Sequence, residues 1–147
     1  MMVTAPVGER GWAMEGAIRV GVDLTEVAAT RRSLEHFGER FIRRVFTDHE
    51  VDSCRNAHDP TGYAVDSLAA RFAAKEATLK VLRPSDGRPE WRSMEVRRHE
   101  VGWCEMVLSG AAARLAEEQG LAELSVSLTH EGPMAAAVVC ARTTRDR

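Results

Sequence analysis

The chain of 147 residues carries 20 Lys and Arg against 22 Asp and Glu, a net charge of −2. That length sets one domain with enough chain to bury a core. The balanced charge argues against a general nucleic-acid or membrane-surface binder, and no apolar run is long enough to span a bilayer.

Residues 1–16 lack the apolar core of a signal peptide and read as a loose extension with Pro6, Gly8, Gly11 and Gly16, ahead of a domain over 17–141. Ile18, Val20, Val22 and Leu24 alternate with Arg19, Gly21 and Asp23, the pattern of a half-buried strand ending at Asp23. Gly21 removes a side chain on the face that carries Asp23 and lets another group approach. Thr25 to Glu39 is predicted helical, with Leu34 and Phe37 inward, and a second helical piece runs from Arg40 to about Val45. Thr47 and Glu50 form a capping-box pattern for a short helix reaching about Cys54. Arg31, Arg32, Arg40, Arg43 and Arg44 in these segments form either a solvated face or a landing patch for an acidic protein. A loop rich in Asp, Pro and Gly follows over 56–62. Cys54, Cys104 and Cys140 are odd in number, far apart and without a CxxC pair. Neither a zinc site nor a disulfide framework is indicated, and a reduced, cytoplasmic protein is expected.

Leu68 to Leu82 is built of strong helix formers with no breaker. Leu68, Phe72 and Leu79 form one apolar stripe and Ala74, Ala77 and Val81 lie opposite, so the helix is predicted to be buried on more than one side. Glu76 borders the stripe one turn before Lys80. A carboxylate there is costly unless something pairs with it. The two residues form either an i,i+4 ion pair or a site, with a carboxylate for a metal and an ammonium for phosphate. Two prolines and a glycine over 83–90 stop the helix. Met94, Val96 and the residues around Trp91 form a predicted strand, and Val101 to Leu108 another. A helix from Gly110 to Gln119 follows, capped by Ser109 and ended by Gly120. Leu124, Val126 and Leu128 alternate with Ser125, Ser127 and Thr129 in a strand ending at His130. Glu131-Gly132-Pro133 turns the chain into an apolar strand over Met134 to Ala141, and a polar tail occupies 142–147. The layout is α+β, with the last four strands expected in one antiparallel sheet around a long central helix.

Asp23, Glu76 with Lys80, and His130 are thus the polar residues at element ends or on the buried helix. Two carboxylates far apart in sequence can share one Mg²⁺, which keeps waters and takes its other ligands from substrate phosphates. The set suits a reaction at a diphosphate. Asp23 as a helix cap and His130 as a turn cap are the structural alternatives.

Ile18-Arg-Val-Gly-Val-Asp-Leu-Thr-Glu26 resembles the opening of the holo-acyl-carrier-protein synthases of the 4′-phosphopantetheinyl transferase superfamily. Phe41-Ile-Arg-Arg-Val-Phe-Thr47 with Glu50, Arg71-Phe-Ala-Ala-Lys-Glu-Ala77 with Lys80, Leu108-Ser-Gly-Ala-Ala and Ser127-Leu-Thr-His130 are similar to the family's later blocks, in order. The resemblance implies the short-type transferase fold. It implies transfer of 4′-phosphopantetheine from coenzyme A to a serine of an acyl carrier protein, with release of 3′,5′-ADP. By the same resemblance Asp23 and Glu76 would hold Mg²⁺, and Lys80 would contact the diphosphate or take the serine proton. Arg71, Lys75 and His130 would surround the nucleotide and its phosphates, and Arg40 and Arg44 would meet the acidic helix of the carrier. A homotrimer with sites between subunits is also implied. Departures stand at Arg83-Pro84-Ser85-Asp86-Gly87, where the family has a Gly-Thr-Gly loop, and at Gly102-Trp103-Cys104, where it has Gly-Lys-Pro. They suit an enzyme specialised to one polyketide or fatty-acid pathway. They also suit a weakly active relative that binds carrier protein as an interaction module.

Overall fold

The computed structural model describes residues 16–144, so the extension over 1–15 and the end of the tail lie outside the described residues. Strand β1 (Ile18–Glu26) leads into helices α1 (Val27–Phe37), α2 (Glu39–Val45) and α3 (Asp48–Ser53), then the long helix α4 (Val65–Leu82). A 3₁₀ turn over Trp91–Ser93 opens the hairpin of β2 (Met94–Arg98) and β3 (Cys104–Leu108). Helix α5 (Gly110–Glu118) and strands β4 (Leu121–Glu131) and β5 (Met134–Thr143) complete the chain. The fold class is α+β, as expected. Among the described residues no helix is long and apolar enough to cross a membrane.

The strands divide differently from the expectation of one sheet. The apolar β5 is central in an antiparallel sheet of order β1-β5-β4, and β2 pairs only with β3. The sheet has three strands because β1, the strand farthest away in sequence, takes the free edge of β5, with Ile18 opposite Arg142 and Glu26 opposite Met134. That pairing carries β5 to Thr143, past the expected end at Ala141, and the Thr143 amide donates to Ala17 O at 2.9 Å.

Helix α4 lies across this sheet, buried on most of its circumference. Leu68, Ala69, Ala73, Ala74, Ala77 and Val81 are fully buried. Alanines on both layers let them approach closely, and β5 presents Ala135, Ala137, Val139 and Ala141. The closest approach is at Gly21, where a Cβ would sit 2.1 Å from the Ala77 carbonyl oxygen. Helix α4 ends on Arg83, held left-handed at φ 49 with its amide on Leu79 O, and Pro84 prevents continuation. At α3 both halves of the predicted capping box form: Glu50 N donates to Thr47 Oγ1 and Thr47 N to Glu50 Oε2.

Strand β1 inverts the usual logic of alternation. Its apolar residues Ile18, Val20, Val22 and Leu24 face outward, Leu24 being 65% exposed, while Arg19, Gly21, Asp23 and Thr25 face α4. The strand also runs three residues beyond Asp23, and α1 starts at Val27 rather than Thr25. Asp23 therefore stands inside a strand, which removes its reading as a helix cap. Gly21→Ala should cost about 1–3 kcal/mol by overpacking, read as a lower urea midpoint. An unchanged midpoint would mean that β1 and α4 part at little cost.

Candidate active site

Asp23 and Lys80 meet across the β1–α4 interface. Lys80 Nζ lies 3.1 Å from Asp23 Oδ1 and also donates to the Val22 carbonyl. Glu76 stands one turn before Lys80 on the same side of α4, partly buried. Burial pushes its pKa up, the charge of Asp23 pushes it further, and Arg88 and Lys80 oppose the rise. Asp23 and Glu76 are thus close enough for their charges to interact, although 53 residues separate them in sequence. The i,i+4 partner that Glu76 would take from Lys80 is instead committed to Asp23. Among the described residues no cluster of three or more His, Cys, Asp or Glu could enclose a metal. A cation here would have two protein carboxylates and open positions for water and substrate oxygens, the coordination that Mg²⁺ accepts.

Two cavities flank α4. One, of about 470 Å³, is walled by Phe37, Arg40, Phe41, Arg44, Phe72 and Trp91 and contains Glu76 and Arg88. The expected carrier-binding arginines and the expected metal ligand thus line one groove. The other, of about 240 Å³, brings together Arg71, Arg98 and His130 with Ser67, Gly102 and Thr129. Arg71 is 6% exposed, and its Nε is a buried donor with no hydrogen-bond partner among the described residues. His130 is oriented by Asp66, with Nδ1 3.4 Å from Asp66 Oδ2. Two guanidinium groups and an imidazole thus line one cavity, and the Arg71 Nε–H has no acceptor among the described residues, a donor set that could bind an anion.

The family model of the 4′-phosphopantetheinyl transferase superfamily matches residues 19–139. The chain belongs to that superfamily. A holo-acyl-carrier-protein synthase of Moorella thermoacetica is 40% identical over 121 residues, covering 82% of this chain and 91% of that protein. A solved complex of a synthase from Chronobacterium ammoniagenes with coenzyme A superposes with TM-score 0.71 at 31% identity, covering 88% of this chain and 99% of that one. The synthase of Neisseria meningitidis superposes with the same score at 29% identity, covering 84% and 97%. The protein is a phosphopantetheinyl transferase enzyme.

Within the transferase, one expected nucleotide contact has another place. Lys75 is fully buried, away from both cavities, and its ammonium donates to Glu50 Oε2 at 2.7 Å and to the carbonyls of Val45, Trp91 and Met94. The correction has a helical cause: one residue is 100° of turn, so Lys75 points into the core while Glu76 points to the groove. Desolvation lowers the Lys75 pKa and Glu50 opposes that. The sequence reading passed over Arg98, Arg88 and Asp66. A basic run at Arg97-Arg98-His99 was the available signal for the first, whereas Arg88 and Asp66 carry none in their spacing. Cys54 is buried and its thiol is pushed up to about 11, a packing residue rather than a nucleophile.

Lys75→Met leaves the Glu50 carboxylate buried without its partner and should cost about 3–5 kcal/mol, measured by urea unfolding. Adding Glu50→Gln should recover part of the loss. A cost for Lys75→Met no larger than for a surface substitution would show that the charge pair does not hold these elements together.

Proposed function

We propose that this transferase moves 4′-phosphopantetheine from coenzyme A to a serine hydroxyl of an apo acyl carrier protein, with Mg²⁺, and releases 3′,5′-ADP. The reading is carried by one observation: Asp23, paired with Lys80, lies near enough to act on Glu76, and Glu76 lines a groove that also bears Arg40 and Arg44. The serine oxygen forms a bond to the β-phosphorus, and the bond from that phosphorus to the bridging oxygen of the 3′,5′-ADP moiety breaks. Asp23 and Glu76 would hold Mg²⁺, which when bound offsets charge on the diphosphate. Lys80, held by Asp23, either adds positive charge beside the diphosphate as an ammonium or, as the neutral amine, receives the serine proton directly or through water. Arg71, Arg98 and His130 bind nucleotide phosphate in the smaller cavity, where the orphan Arg71 Nε gains an acceptor. Phe41, Phe72 and Trp91 offer apolar surface to the carrier between the groove arginines. The solved synthase complex with coenzyme A supports the nucleotide part of this reading.

The outer face of β1 supports a homotrimer. Ile18, Val20, Val22 and Leu24 present one continuous apolar edge, 56–65% exposed, continued on β5 by Val138. A strand that gives its polar face to its own core and its apolar face to solvent needs a cover. A threefold arrangement of these sheets supplies one and gives each site a neighbouring wall, which suits a chain too small to enclose coenzyme A alone.

Intact mass after incubation of apo carrier with coenzyme A, Mg²⁺ and the enzyme should show one phosphopantetheine added. Binding without mass gain would favour an interaction module. Glu76→Gln should abolish turnover with the fold retained, and a rate equal to wild type at limiting Mg²⁺ would remove Glu76 from the site. Val22→Glu places a charge in the apolar face and should yield monomers in light scattering. Trimers that survive Val22→Glu would mean assembly through another surface.

A further inference from the structure

Beside the groove lies a second pocket, of about 430 Å³, lined by Arg43, Arg44, Arg88, Arg92 and Glu90, with Trp91 at its base. Four guanidinium groups stand against one carboxylate. Arg92 is a brace: it donates to the Arg43 carbonyl at 3.1 Å and to Asp48 at 3.0 Å. The Arg88 guanidinium rests on the Trp91 ring, 4.1 Å from its centroid, and lines the pocket. Arg43 and Arg44 are exposed and enter no ion pair among the described residues. Such a concentration of like charge repels itself unless an anion is drawn to it.

Continuity decides which anion. Arg44, Arg88 and Trp91 are shared walls of this pocket and of the groove that contains Arg40 and Glu76. The pocket adds Arg43 and Arg92 to those walls and shares no lining residue with the Arg71–His130 cavity. A partner seated on the groove therefore extends over it, and a row of carboxylates on a helix matches separate guanidinium groups better than one compact phosphate does. Resting on the proposed function, we infer that Arg43 and Arg88 form a second acidic-residue contact for the carrier protein, beyond Arg40 and Arg44, that extends the docking footprint and selects carriers acidic there.

The test is binding of an acidic apo acyl carrier protein to the full chain, compared among wild type, Arg43→Glu and Arg88→Glu, with KM for coenzyme A and the thermal midpoint measured alongside. Each variant should weaken carrier binding about fivefold or more, with less loss at high salt. In Arg43→Glu, which stands outside the groove that holds Glu76, coenzyme A KM and the midpoint should stay unchanged, and Arg43→Lys and Arg88→Lys should keep most of the affinity. Unchanged carrier binding in both charge reversals, or a rise in coenzyme A KM for Arg43→Glu instead, would overturn the assignment. Carrier that binds wild type and loses affinity in the variants, but is never modified, would sink the transferase reading and leave this contact standing.

Discussion

The structure depends on a charge buried without access to water. Lys75 contacts four oxygens, and Glu50 accepts from Lys75, from the Thr47 amide and from the Val96 amide. Burying two ions costs several kcal/mol each unless geometry meets every donor and acceptor, and here it does. The consequence is geometric. The end of α2, the start of α3, the 3₁₀ turn and β2 are all referenced to one atom on α4. Val45 and Trp91, which give Lys75 their carbonyls, are walls of the groove, and Glu76 is the next residue along the helix. An apolar side chain of the same volume could fill the space, but it would not orient three carbonyls. The pair thus holds the Val45–Trp91 wall of the groove and the Glu76 side of α4 in fixed relation.

A second constraint is the contact of β1 with α4. Gly21 lets the strand lie against the Ala77 carbonyl, which brings Asp23 beside Lys80 and Glu76. The same register turns Val20, Val22 and Leu24 outward, because side chains alternate strictly along a strand. The strand cannot deliver Asp23 to the site without exposing its apolar face. One register thus sets both the approach of Asp23 to Lys80 and the exposure of the apolar face.

Much of the local structure was legible. The capping box at Thr47 and Glu50, the closed packing on both sides of α4, the close approach at Gly21 and the central position of the apolar β5 all follow from residue chemistry acting over a few positions. Misreadings arose where partners are distant. By local pattern β1 ends at Asp23, where the chain turns toward a helix, whereas pairing with β5 continues it to Glu26. The β2–β3 hairpin looked like part of the main sheet because alternation says which face is apolar and nothing about which edge is joined. Lys75 stood in a motif beside Glu76 and Lys80 and shared their expected role. Only its counter-ion, 25 residues earlier, reveals that it belongs to the core.

By itself the sequence determined the α+β class, the long helix with its stop, the acidic and basic residues available for phosphate and metal chemistry, and the family. These rest on periodicity and on residue types at short spacing, where the backbone leaves few choices. Only the tertiary structure decided that Asp23 and Glu76 come close enough to interact, that Lys75 is buried in the core, that Arg88 and Arg98 line cavities, and that the apolar side of β1 faces away from its own core. Those outcomes depend on which segments pack together, and packing is a property of the whole chain that no local window contains.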